Sequence, residues 1–359
     1  MDTSPFLNPG PKRRRRGRRR SRWRVASVGV LALAIVVAAA VMALAHSRDA
    51  HGSTAAGGRH GHRHPTRVAA ATRSAIGLPL AKPAFALPGV GAPADDVVHA
   101  SFAEPPRAGL LFNLGTGQVL WQLNPYARLR IASLTKMMTA LVTVLSAPAR
   151  APVLVTKAAE NMPGSRVGVL PLGRHIELET MLYGLLLPSG NDAAVALAQH
   201  VAGTVNGFVK RMNLEAARLG MGCTRYSSPS GYYNEGNFSC AADLAILAHA
   251  DLQQPRIASI VHDATAALPF PIHGGRLYLE NNNPLLIYHY PGTTGLKTGY
   301  TIEAGKCLVA TAERDGVRLG VVLLHSPDPG TQAAYLLDRG FYGIYHLAPV
   351  SEPPIPGGV

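Results

Sequence analysis

The sequence predicts an α+β fold: one antiparallel sheet flanked by helices, with a helical lobe inserted between the strands that open the sheet and those that complete it. Three observations carry this reading. Strand-like runs lie near both ends of residues 98–350, and helical patterns fill the middle. The chain is also 47% apolar but only 6% aromatic, leaning on Leu, Val and Ala as packed helices beside a sheet do.

The elements follow in order. Ala108 to Leu114 and Gln118 to Leu123 flank Gly115-Thr116-Gly117 and read as a hairpin. From Ser133 through Leu145, the apolar residues Leu134, Met137, Met138, Leu141, Val142 and Leu145 recur at helical spacing. Further helical patterns cover 178–187, 192–202, 206–219 and 241–250. Strands return at Gly295 to Thr301, and then on either side of Arg314-Asp315-Gly316, a strong turn signal between Cys307–Glu313 and Val317–His325. A last helix is expected from Thr331 to Tyr342.

The net charge of +14 over 359 residues invites a nucleic-acid reading until the charges are located. Residues 1–24 hold ten basic groups and one acid, whereas residues 98–359 hold 19 basic and 17 acidic groups. The excess belongs to the tail, so no basic face and no nucleic-acid partner is expected of the globular part. Next comes Val25 to Ala45, 21 residues without a charge, long enough to cross a bilayer as a helix. The positive-inside rule puts the Arg-rich tail in the cytoplasm and everything after Ala45 outside. The apolar span is expected to be a retained signal-anchor; Ala43-Leu44-Ala45 offers the alternative of cleavage before His46. Residues 46–97, rich in Ala, Gly, Pro and His, read as a spacer, 98–350 as the catalytic domain and 351–359 as a tail.

Three short motifs stand out in the domain. Ser133-Leu134-Thr135-Lys136 sets a hydroxyl and an amine three residues apart, on one helix face, as a nucleophile and its base require. Such a lysine acts as a base only if burial or a second cation depresses its pKa. Pro188-Ser189-Gly190-Asn191 sits between two helical patterns, where a turn can present a hydroxyl and an amide to a cleft; as a bland alternative, Ser189 caps the next helix. Lys297-Thr298-Gly299 lies in a strand-like run and offers a cation, a hydroxyl and a bare backbone, although edge strands often carry a lysine for solubility alone. Each is weak by itself. Together, once each and on fitting elements, they are specific.

With these motifs in this order the sequence resembles the penicillin-recognising serine acyl-enzymes, and within them the D-alanyl-D-alanine carboxypeptidases of low-molecular-mass penicillin-binding-protein type. Ile131-Ala132 before the serine, Leu185 through Ala194, Tyr290-Pro291-Gly292 and Gly295 through Thr301 also fit. The resemblance spans about residues 100–345 and implies a β-lactamase/transpeptidase-like fold. It implies that Ser133 forms an acyl-ester with the penultimate D-Ala of peptidoglycan stem peptides, with Lys136 as proton acceptor and Ser189 as proton relay. Asn191 would bind the substrate amide, Lys297 and Thr298 the terminal carboxylate, and the backbone around Gly299, at Ser133 and Tyr300, the oxyanion. No metal or cofactor is implied; β-lactams are implied as covalent inhibitors. A β-lactam-binding sensor and a β-lactamase share the motifs, but the latter needs an added carboxylate base, and no Glu stands in the usual context between Asn191 and Lys297.

The three cysteines form no CxxC pair, so a structural metal is not expected. In an oxidising compartment Cys223 and Cys240 either pair or stand as separate buried thiols. Cys307 lies in an apolar strand and reads as core.

Overall fold

The computed structural model describes residues 73–347 apart from 76, 93–96, 233–235 and 272–274. The Arg-rich tail, the apolar span 25–45, the first part of the spacer and the tail 351–359 lie outside the described residues. Within the described residues no helix is long and apolar enough to cross a membrane.

The five-stranded antiparallel sheet joins distant segments. Its strands are β1 (Ala108–Asn113), β2 (Val119–Leu123), β3 (Thr293–Thr301), β4 (Gly305–Arg314) and β5 (Val317–Ser326), in the order β2-β1-β5-β4-β3. β1 pairs with β5 across more than 200 residues of chain, from Ala108 opposite Leu324 to Asn113 opposite Leu319. The inserted lobe holds α1 (Thr135–Ser146), α2 (Leu178–Leu186), α3 (Asn191–Ala202), α4 (Val205–Arg218), α5 (Ala241–Leu252) and α6 (Pro255–His262), and α7 (Pro329–Tyr345) closes the domain.

Period-two alternation explains why helices cover both faces of this sheet. In β1, Leu110 and Phe112 join the core beneath the helical lobe, whereas Leu111 joins a second core under α7. The same split sends Val322 and Leu324 of β5 one way and Val321 and Leu323 the other. Such strands are apolar on both sides, so they read in sequence as continuous runs. Helix α6 was not expected, nor was the two-stranded ladder that follows it, Thr265–Pro269 with Arg276–Glu280. The helix spans only eight residues, opened by Pro255 at its first turn and holding Ile257, Ile260 and Val261 inward.

Two further outcomes bear on the sequence reading. Cys223 and Cys240 form a disulfide, which ties the turn after α4 to the start of α5. The spacer expected over 46–97 is not loose throughout: Phe85 stacks on His249 with ring centroids 4.0 Å apart, and Phe85 and Leu87 are buried in the core. Gly117 accommodates this strap, because a Cβ there would lie 1.9 Å from the Ala86 carbonyl oxygen. Isolated aromatic and aliphatic residues in a Pro- and Ala-rich stretch give no periodic signal, so the docking was hidden.

Asp251 on α5 is fully buried, and neither carboxylate oxygen has a hydrogen-bond partner among the described residues. Burial drives its pKa well above the carboxylate norm. A carboxyl whose folded pKa is raised binds its proton more tightly when folded, so its ionisation removes stability as pH climbs from the unfolded value of about 3.9 through the folded one. Asp251→Asn is expected to raise stability at pH 7 by about 1 kcal/mol, with the gain vanishing near pH 4; urea unfolding at the two pH values measures it.

Candidate active site

Ser133, the nucleophile expected from the sequence, sits in a tight turn that the surrounding glycines make possible. Ser133 occupies a single 3-10 turn, Ala132–Leu134, that feeds directly into α1, and Ala132 has φ +46°. Left-handed backbone at a residue with a side chain is held only by close packing. That packing comes from Gly231, where a Cβ would lie 2.0 Å from the Ala132 carbonyl oxygen. On the other side, a Cβ on Gly299 would lie 3.0 Å from the Ser133 nitrogen. Strand β3 therefore passes directly beside the Ser133 amide, bringing the backbone of Gly299 and Tyr300 to the nucleophile.

Lys136, on the first turn of α1, is completely buried. Its Nζ lies 2.8 Å from Ser133 Oγ, 2.8 Å from Asn191 Oδ1 and 2.9 Å from the Ser230 carbonyl oxygen. Burial lowers its pKa well below the usual lysine value, the Lys297 cation lowers it further, and Asp192 partly opposes them. The Asn191 and Ser230 oxygens can only accept. In the neutral amine they take its two N–H bonds, which leaves the lone pair facing the Ser133 hydroxyl. Such geometry would let Lys136 take the Ser133 proton.

Asn191 opens α3, and its Nδ2 donates to the Pro163 carbonyl oxygen at 2.7 Å. This bond orients the amide so that Oδ1 faces Lys136. The sequence reading gave Asn191 to the substrate amide; here its Oδ1 also positions Lys136, and Pro163 takes one of the two amide hydrogens. Ser189 precedes the helix with φ +66°. It is not a helix cap, since Gly190 is the capping residue and no side chain caps the helix. Instead the Ser189 hydroxyl is buried without a hydrogen-bond partner among the described residues, on the wall of the cleft.

Lys297 is 1% exposed, and burial pushes its pKa down to about 7. Its ammonium donates to the Thr298 carbonyl oxygen at 3.1 Å. Thr298, Gly299 and Tyr300 line a cleft of about 360 Å³ together with Ser133 and Ser189. All three motifs thus converge: hydroxyls and bare backbone on the wall, with Lys136, Asn191 and Lys297 buried behind it.

Sequence reasoning missed the supports. Ser230 supplies a carbonyl to Lys136, and its only signal was the Pro229-x-Gly231 turn. Asp192 is fully buried and accepts from the Val167 and Gly168 amides at 3.0 and 3.1 Å, pinning the loop that carries Pro163 and Ser165 onto α3. Its place right after the second motif was the available clue.

The peptidase S11 family model, described as D-alanyl-D-alanine carboxypeptidase, matches residues 103–328. A D-alanyl-D-alanine carboxypeptidase of Bacillus subtilis is 34% identical over 248 residues, 67% of this chain and 63% of that protein. One of Mycobacterium tuberculosis is 36% identical over 245 residues, 66% of this chain and 82% of that protein. The chain thus spans slightly under two thirds of the Bacillus protein's length. Among solved structures, a D-alanyl-D-alanine carboxypeptidase from Mycobacterium tuberculosis matches with TM-score 0.63 and 34% identity, over 68% of this chain and 94% of that one. A mutant Streptomyces DD-transpeptidase matches with TM-score 0.62 and 30% identity, over 67% and 99%. The family model covers more than half of the chain, the solved relatives share its sheet and helical lobe, and the chain belongs to the D-alanyl-D-alanine carboxypeptidase family of serine peptidases.

Proposed function

We propose that this chain is a serine-type D-Ala-D-Ala carboxypeptidase that removes the terminal D-Ala from peptidoglycan stem peptides. The observation that carries the reading is the neutral-amine cradle of Lys136, 2.8 Å from Ser133 Oγ. Lys136 Nζ takes the hydroxyl proton as Ser133 Oγ bonds to the penultimate D-Ala carbonyl carbon. Backbone N–H groups of Ser133 and Tyr300 hold the oxyanion, each such donor being worth about 3 kcal/mol in a transition state. The carbon–nitrogen bond then breaks, and the leaving amine takes a proton relayed from Lys136 through Ser189, whose unpartnered hydroxyl is free for the task. Water attacks the resulting ester with Lys136 again as base, which releases the shortened stem and restores Ser133. Lys297 and Thr298 hold the terminal carboxylate, and the same Lys297 charge keeps Lys136 neutral. β-Lactams, whose strained amide and carboxylate mimic the substrate, acylate Ser133 in its place.

We also infer that residues 25–45 anchor the protein, with the Arg-rich tail inside and the catalytic domain in the extracytoplasmic space beside its substrate. The uncharged length and the ten flanking basic residues support this.

Two tests follow. With a peptide ending in D-Ala-D-Ala, Ser133→Ala is expected to lower D-Ala release by at least about 10³-fold and to abolish covalent labelling by a penicillin. Labelling at Ser133 by an intact protein that releases no D-Ala would replace the peptidase reading with that of a β-lactam sensor. The second test uses pH. Lys297 holds its charge below about 7 and loses it above, while Lys136 must be neutral, so kcat/KM is expected to fall as pH rises through the Lys297 titration. Lys297→Arg stays charged at any accessible pH, and its kcat/KM profile is expected to lose that alkaline limb whatever its maximum.

A further inference from the structure

The sheet leaves one flank of β3 unpaired beside the nucleophile, where an extended peptide can lie as an added strand. On the peptidase reading two anchors give that peptide its direction: the terminal carboxylate at Lys297 and Thr298, and the scissile carbonyl at the Ser133 and Tyr300 amides. The later substrate residue meets the earlier strand residue, so the peptide is antiparallel to β3. Its upstream residues run on past Tyr300 towards Ile302.

A second groove, about 570 Å³ in volume, lies at that end of β3, where Tyr300 and Ile302 border it. Tyr300 and Lys306 line both it and the catalytic cleft, so the two are continuous. The far groove is bordered by Arg107, Lys306 and His325 against a single acid, Glu104. Among the described residues neither Lys306 nor Arg107 takes part in an ion pair. The β3–β4 register assigns Lys306 to a particular part of the substrate. It pairs with Tyr300, whereas Leu308 pairs with Thr298. At ~3.3 Å per residue, Lys306 stands roughly 7 Å from the carboxylate anchor, level with the scissile carbonyl, and its side chain borders the groove beyond. Paired residues share a face, and both Lys306 and Tyr300 are exposed.

We propose that this groove is a subsite for a carboxylate-bearing side chain one or two residues upstream of the penultimate D-Ala, read by Lys306 and Arg107. The proposal rests on the carboxypeptidase reading and adds a charge preference to it. An anionic stem side chain meets two cations, a neutral one gains nothing, and an ammonium is repelled.

The test compares D-Ala release from three peptides that end in D-Ala-D-Ala and differ only in the preceding side chain: carboxylate, neutral or amine. In the intact protein, kcat/KM is expected to be about fivefold higher for the carboxylate than for the neutral peptide at low salt, and the ratio to shrink at high ionic strength. Lys306→Ala combined with Arg107→Ala should bring the ratio towards one, Lys306→Glu should turn it in favour of the amine, and Lys306→Arg should keep it. Equal rates for all three peptides in the intact protein, or a ratio untouched by the double substitution, overturn the subsite and leave the peptidase standing. Release from none of the three overturns both.

Discussion

The catalytic centre depends on confining two lysine side chains where water cannot reach them. A buried ammonium is expensive, and a second one nearby makes both worse. The cheapest resolution is for one to give up its proton, and the surroundings decide which. Burial and the Lys297 cation both lower the Lys136 pKa, with Asp192 partly opposing them, whereas the Lys297 shift comes from burial alone. The asymmetry pushes Lys136 further towards the neutral amine than Lys297, from the same residue type. The rest of the fold can be understood as what keeps that pair dry and in place: a fully packed α1, the start of α3, and a strand brought close by residues without side chains.

Confinement explains why the supports lie so far apart in sequence. Lys136 is held by Asn191, which is held by Pro163, in a loop pinned by Asp192. The links are hydrogen bonds of 2.7 to 3.0 Å that run from the buried Lys136 and Asn191 out to a more exposed loop, and such a chain is only as rigid as its least satisfied member. Every link here is satisfied. Ser189 Oγ is the orphan in this neighbourhood, and it faces the cleft. An orphan hydroxyl on strained backbone fits a group whose partner arrives with the ligand.

Much of this was legible in the sequence. The hairpins, the long helices and the three motifs announced themselves through periodicity, turn residues and conjunction, and Ser133, Ser189, Thr298 and Tyr300 meet at one cleft with Lys136 buried behind it. What escaped was of two kinds. Short elements such as Pro255–His262 offer too few residues for a period to emerge, and the strap at Phe85 and Leu87 has no period at all. Contacts made by the backbone escaped as well: the Ser230 carbonyl is chemically the same as any other carbonyl, and only its position in three dimensions makes it a lysine ligand. The Asn191 side chain was found, but its bond to Lys136 was not, because a motif names a residue without saying which way its amide is turned.

The open flank of β3 has a consequence beyond substrate. Unpaired strand edges template association with any other extended chain, including unfolded copies of the same protein, and natural sheets blunt them with charge, bulges or cover. Here the far end of β3 cannot be blunted by pairing without closing the cleft. It is hemmed instead: the 3-10 turn crowds it at Gly299 and α6 packs against it at Gly295. The register also breaks between Thr311 and Ala312 on the partner strand. These leave a short accessible stretch, long enough for a few residues of a flexible stem and too short for a second sheet to dock. Resistance to edge-to-edge pairing and room for a short extended segment thus arise from one and the same steric restriction.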